Sequence, residues 1–315
     1  MIESTSIISY VTFIFGLSSL FYIIGWIFKT QTANILGTGS MAAATIGSAS
    51  AFALRWAETY QAGYGHVPLA SLYDSLVFFS LTIGIIYLFV EFRYKASIVG
   101  IFAALAAFLA LAYASLPTVG SQIQPLMPAL KSNWLIIHVM TYFFGYAALT
   151  LAFCVSLLYL LKSAGKNADS GILGRIPDFR VLDDLTYQLV MFGFLFITLG
   201  LITGAVWAEQ AWGRYWGWDP KETWSLITII VYSFVIHSRN IPGFRSLFAF
   251  NVLALFAFSS VLMTYFGVNY YLSGLHSYAG GEAVPVPPFV YISVVILVAL
   301  TIWAYRNRNK NLQIA

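Results

Sequence analysis

The chain has 315 residues, 60% hydrophobic and 9% charged, with a formal charge of +4 and a mean hydropathy of +0.80. Soluble domains carry about 25% charged residues, so the composition excludes an ordinary water-soluble fold and makes lipid the main solvent. With so few charges behind it, the +4 matters by its placement, and no nucleic-acid partner is expected.

A membrane crossing takes roughly 17 to 25 apolar residues, and on that rule nine spans are expected, at about 6–28, 34–54, 73–91, 97–115, 134–161, 188–207, 221–238, 247–267 and 287–305. The expected fold class is all-α, a polytopic membrane helical bundle of about 8–9 transmembrane helices. Residues 1–315 form one membrane domain, with an external tryptophan-rich segment at 207–224. The first span is followed by Lys29 rather than preceded by basic residues, which predicts a retained span and not a signal peptide. The second, NILGTGSMAAATIGSASAFAL, is the weakest; its small residues let helices approach closely and predict a place inside the bundle. Cys154, the one cysteine, lies in an apolar run, cannot form an internal disulfide and is expected to be a small packing residue. Thiol redox chemistry, where it matters, falls to other proteins.

The loops set the orientation. With the amino terminus outside, one side collects Lys29, Arg93, Lys95, Lys162, Lys166, Arg175, Arg180, Arg239, Arg245, Arg306, Arg308 and Lys310, and the other keeps Arg55, Lys131, Arg214 and Lys221. The richer side is expected to be cytoplasmic. Four loops then face outward: one with His66 in GYGHVPLASLYD, one running PTVGSQIQPLMPALKSN, the tryptophan-rich stretch, and NYYLSGLHSYAGGEAVPVPP with His276. The three prolines of the second resist continuous helix. The inner loop SAGKNADSGILGRIPDFRVLDD reads as a solvated connection, and the basic tail RNRNKN as a topology anchor.

Trp207, Trp212, Trp216, Trp218 and Trp224 are five of the nine tryptophans, interleaved with Arg214, Tyr215, Asp219, Lys221 and Glu222. Their density predicts a flat aromatic platform at a membrane surface. Asp219 is placed to cap a helix, Pro220 to open it and Glu222 to reach back to the cap. The 19 residues from Pro220 to Ser238 span roughly 28 Å at the usual helical rise. The start of that helix aims its backbone donors and positive dipole end at the platform, favouring an anionic group there.

The histidines are 66, 138, 237 and 276. By topology His138, about one turn inside the fifth span, and His276 share the outer face with the tryptophans. A planar apolar ring with edge carboxylates suits this set: aromatic cover, Arg214, Lys221 and the helix start for the carboxylates, and two imidazoles for a central iron. That ligand is haem. The residues alone leave two other accounts open, aromatic anchoring at the interface, and a metal or quinone site; zinc is disfavoured for want of cysteine or carboxylate at ligand spacing. His237, at the inner end of the seventh span, fits ligation and a satisfied interfacial role equally, and His66 is left out of the site.

WGRYWGWDPKETW resembles the tryptophan-rich (WWD) signature of the haem-handling proteins of cytochrome c maturation. Together with GHVPLASLYDSL, PALKSNWLIIHV, LITGAVWAEQAWG, IHSR and FGVNYYLSGLHSYA, it is similar to the CcsA (ResC) family, one subunit of the System II cytochrome c synthase, over nearly the whole chain. The length and the GLHSY phrase favour that family over the shorter CcmC and much longer CcmF. The resemblance implies that His138 and His276 are axial ligands of an outward-facing haem b. It implies that His237 ligates haem earlier on its route, opposite a ligand supplied by the partner CcsB (ResB). Trp207, Trp212, Arg214, Trp216, Trp218, Asp219, Lys221 and Trp224 complete the expected binding set.

Also implied is thioether attachment of haem to the CxxCH segment of apocytochrome c. The setting is the bacterial cytoplasmic membrane with the tryptophan segment toward the periplasm, or a thylakoid membrane for a plastid-encoded chain. No dedicated general base is evident, so the chemistry belongs largely to haem and thiol. The alternative is a haem exporter or chaperone, CcmC-like, without attachment activity; a structural or quinone-interacting subunit is a third.

Overall fold

The structure, a computed structural model, describes residues 3–165, 171–272, 274–275 and 286–308. Among them every regular element is helical: α1 (Ser4–Phe28), α2 (Gln31–Gln61), α3 (Leu72–Tyr94), α4 (Ile98–Ala114), α5 (Asn133–Ala164), α6 (Phe179–Trp212), α7 (Pro220–His237), α8 (Leu247–Leu262), α9 (Val268–Tyr271) and α10 (Pro288–Asn307). A π turn at Met263–Gly267 joins α8 to α9, so the nine expected spans fall on nine helical stretches. Helices are what lipid permits, because each satisfies its own backbone donors and acceptors. Among the described residues, six stretches are long and apolar enough to cross a membrane: α1, α3, α5, α6, Leu247–Tyr271 and α10. At 17 residues α4 is shorter.

The chain divides into two compact units, Met1–Leu151 with Ile202–Tyr215, and Ala152–Leu201 with Trp216–Ala315. In the first unit α1 packs on α2, α2 on α3, α3 on α4 and α4 back on α1. The α1–α2 and α3–α4 turns are tight because Lys29 and Lys95 take left-handed backbone, φ 54° and 56°, at the helix ends. The small-residue helix α2 is inside, as its composition predicts: Ala33, Gly37, Met41, Ala44, Ser48 and Ala51 are buried along one face. At Gly37 the approach is so close that a Cβ would lie 2.9 Å from the Tyr22 ring.

At the far end of α2, Arg55 pairs with Asp74 of α3, both buried. Ser71 caps α3 by accepting from the Asp74 amide at 3.0 Å, and Arg55 Nη2 donates to the Ser121 carbonyl at 2.9 Å. The guanidinium also lies 4.6 Å from the Tyr73 ring centre. Counted by sequence as an outer-loop cation, Arg55 instead ties the 117–132 loop to the helices. Arg55→Ala leaves Asp74 buried and unpaired, and thermal unfolding in detergent is expected to show a loss of about 3–5 kcal/mol. A melting temperature equal to that of the parent would show that the pair does not support the fold.

In the second unit Asp183 of α6 accepts from Arg239, whose guanidinium lies between the rings of Tyr187 (4.2 Å) and Phe250 (4.3 Å). Asn251 donates to the same carboxylate at 2.8 Å and accepts from Thr186 at 3.0 Å. Lys162 is not a solvated loop cation: it is buried, and its ammonium donates to the carbonyls of Ile176 (3.0 Å) and Pro177 (3.1 Å). Cys154 is buried, as expected. On α10, Trp303 and Asn307 both donate to the Ala164 carbonyl, at 3.0 and 2.8 Å, while most of the helix's apolar side chains are exposed.

Candidate functional site

In the first unit the site is built where α5 begins and α6 ends. The 3-10 turn Pro128–Leu130 brings the Ala129 carbonyl to the indole of Trp207, whose Nε1–H donates at 2.9 Å. Ser132 follows; its hydroxyl accepts from the Trp134 amide at 3.1 Å and donates to Gln210 Oε1 at 2.7 Å. The start of α5 is therefore pinned to α6 at two points. His138 stands next along α5, half-buried, its ring stacked on Trp207 at 5.8 Å with an interplanar angle of 23°. Tyr142 meets the same imidazole edge-on at 5.0 Å. Trp212 stands edge-on to Trp207 at 4.8 Å.

Trp207 differs from the expected exposed platform: it is 1% exposed. The helix α6 runs on through Trp212, so the first two tryptophans of the stretch belong to its last turns and not to a loop. Gly204, one turn before Trp207 on the same face, leaves room for the imidazole. Sequence reasoning did not single it out, although Gly200 and Gly204 stand at the four-residue spacing that marks close helix approach in membranes. Arg214 is exposed.

The rest of the stretch lies in the second unit. Trp216 and Trp218 meet edge to face at 5.6 Å and 87°. Within each unit, then, neighbouring indoles are T-shaped, the arrangement their quadrupoles favour, and not coplanar. Trp218 is 69% exposed and holds a left-handed backbone, φ 57°. The helix start is as predicted. Asp219 accepts from the Lys221 amide at 3.1 Å, Glu222 accepts from the Asp219 amide at 3.2 Å and the Gly217 amide at 2.7 Å, and Pro220 opens α7. Asp219 is buried and also accepts from the Leu275 amide at 2.6 Å, which fastens the segment after α9 to the motif. Lys221 reaches Asn269 at 3.5 Å and lies 6.0 Å from the Tyr265 ring centre. The Trp224 carbonyl accepts from Thr264 at 3.1 Å.

His237 ends α7 with its ring on the exposed side, and its Nδ1 lies 2.7 Å from the Ser233 carbonyl. A carbonyl only accepts, so Nδ1–H donates, and in the neutral imidazole that tautomer leaves the lone pair on Nε2. His66 is committed elsewhere: its ring nitrogens lie 3.1 Å from the carbonyls of Val67 and Gln124. His276 lies outside the described residues.

Six helical stretches able to cross lipid, with buried polar pairs between them, define a multi-pass membrane protein. The family model described as Cytochrome C assembly protein matches residues 69–276, and the chain belongs to that family. The "Cytochrome c biogenesis protein CcsA" of Heterosigma akashiwo is 37% identical over 250 residues, covering 68% of this chain and 77% of the relative. That of Trieres chinensis is 34% identical over 302 residues, covering 84% and 95%. The resemblance to CcsA expected from the motifs is met. Among solved structures, "Cytochrome c Heme Lyase CcmF" matches with a TM-score of 0.66 at 14% identity, a likeness of fold. It covers 98% of this chain and 51% of the other, so this chain spans about half the length of that protein.

Proposed function

We propose that this chain is the membrane subunit of a cytochrome c synthase. With CcsB (ResB) it carries haem b from the cytoplasmic side to the outer face and presents it to apocytochrome c. Haem is the cargo and one substrate. The other is a CxxCH segment, each of whose two thiols adds across a vinyl group: sulfur bonds to one vinyl carbon and the thiol hydrogen passes to the other, with no net oxidation. Cys154 is buried, so keeping those thiols reduced falls to separate thiol-reducing proteins. The membrane is the bacterial cytoplasmic membrane, with the tryptophan segment toward the periplasm, or a thylakoid membrane.

The observation that carries this reading is His138 stacked on a buried indole, a half-buried imidazole held in a set direction. A histidine that merely anchored a helix at an interface needs no such backing. In the reading, His138 and His276 hold the iron of the outward haem and His237 receives it first. Trp212, Trp216, Trp218 and Trp224 supply ring contacts, and Arg214, Lys221 and the α7 start, set by Asp219, meet the propionates. The chain's own contribution is orientation, worth roughly 7–11 kcal/mol where alignment is good.

Co-expression with CcsB and an apocytochrome c, in cells lacking maturation genes, tests it. The expected result is covalent haem on the apocytochrome and a haem spectrum in the purified complex. Bound haem without attachment would establish an exporter or chaperone instead. A complex without haem absorbance would overturn both.

A further inference from the structure

Resting on that reading, we infer that Gly204 and Trp207 are positioning residues: together they form a socket that fixes the direction of the His138 imidazole. A Cβ built on Gly204 would stand 2.5 Å from both Cε1 and Nδ1 of His138, with Cγ at 3.4 Å as the next atom. The Nδ1–Cε1 edge therefore rests on bare α6 backbone, with Nε2 on the side of the ring farther from Gly204. Trp207 closes the socket by covering the ring face, nearly parallel to it.

The socket is rigid for three reasons. Trp207 is itself buried, its indole N–H is tied to the Ala129 carbonyl, and Tyr142 stands edge-on to the imidazole. The ring cannot yield to a Cβ at 2.5 Å by a small shift, because the indole and phenol restrict its swing. A methyl at residue 204 would turn the imidazole away. This moves Trp207 from the haem-contacting set, where its place in the tryptophan stretch put it, to the support behind the ligand. Glycine at 204 is required by the space the imidazole occupies and not by backbone conformation, since it lies inside α6.

The test is the spectrum of the purified complex carrying haem b, compared among the parent, Gly204→Ala, Trp207→Phe, His138→Ala and the double variant Gly204→Ala/His138→Ala, each with and without imidazole. Loss of support behind a ligating histidine typically costs 10–100-fold, and a drop of about that size in attachment is expected for Gly204→Ala. Its haem should pass from six-coordinate low-spin toward high-spin, with imidazole restoring both spectrum and attachment. Adding Gly204→Ala to His138→Ala should change nothing further, because both act through one ligand.

A low-spin Gly204→Ala spectrum beside a high-spin His138→Ala overturns the socket alone. So does a loss that imidazole does not restore, or additivity in the double variant. A parent-like spectrum for His138→Ala overturns the functional reading instead. Should Gly204→Ala fail to accumulate in the membrane, Trp207→Phe decides. It keeps an apolar ring but lacks the N–H held by Ala129, so an imidazole-restored high-spin shift supports the socket and an unchanged spectrum overturns it.

Discussion

Replacing His138 or His276 by alanine is expected to abolish covalent attachment of haem to apocytochrome c, by about 100-fold or more. That scale is what a misplacement of about 1 Å costs an oriented reaction, and loss of an axial ligand frees the ring by at least as much. The argument for His138 is geometric: its ring is stacked on Trp207 and edged by Tyr142, so alanine leaves an imidazole-sized space beside the indole. Free imidazole fits that space and is expected to restore a substantial part of the attachment. His276 is assigned through the family resemblance, and rescue there tests whether both sides of the iron are served by histidine. Covalent haem is read on a denaturing gel by its peroxidase activity. Attachment unchanged in both variants would remove the external-ligand assignment.

His237→Ala is expected to act earlier. The Nδ1–H of His237 is engaged by the Ser233 carbonyl and its ring is on the exposed side of α7, so Nε2 is the nitrogen through which the neutral imidazole would ligate. In the proposed function, that is where a ligand from the partner subunit meets the iron. Without the imidazole the complex should hold at least tenfold less haem, equivalent to about 1.4 kcal/mol of binding. The outer-site variants differ in kind: they retain haem and fail to attach it. Measuring haem per complex by pyridine haemochrome separates the two classes, and a His237→Ala complex loaded like the parent would end the inner-site assignment.

Much of the architecture was legible because lipid removes alternatives. In lipid an apolar run is held helical by its own backbone hydrogen bonds, and among the described residues the nine expected runs fall on nine helical stretches, six of them long and apolar enough to cross. The start of α7 was legible because capping is local: Asp219, Pro220 and Glu222 settle it within four residues. Contacts distant in sequence were not. Arg55 and Asp74 are 19 residues apart and read as loop charges until α2 and α3 are seen to pack together. The burial of Trp207 was not legible because it begins a dense tryptophan stretch; the stretch is continuous in sequence, but α6 carries Trp207 inside and α7 starts near its last member. Gly204 was invisible for a simpler reason. A glycine's function here is the volume it leaves empty, and only the neighbouring imidazole shows what that volume is for.

The backbone of Trp218 carries a local cost. A left-handed conformation costs an L-residue other than glycine roughly 1–2 kcal/mol, and Trp218 holds φ 57°. A bulky, 69% exposed indole stands there, contributing little to the interior. Glycine would carry no such cost at that position, so whatever the indole contributes it contributes at the surface and not to the packing of the fold.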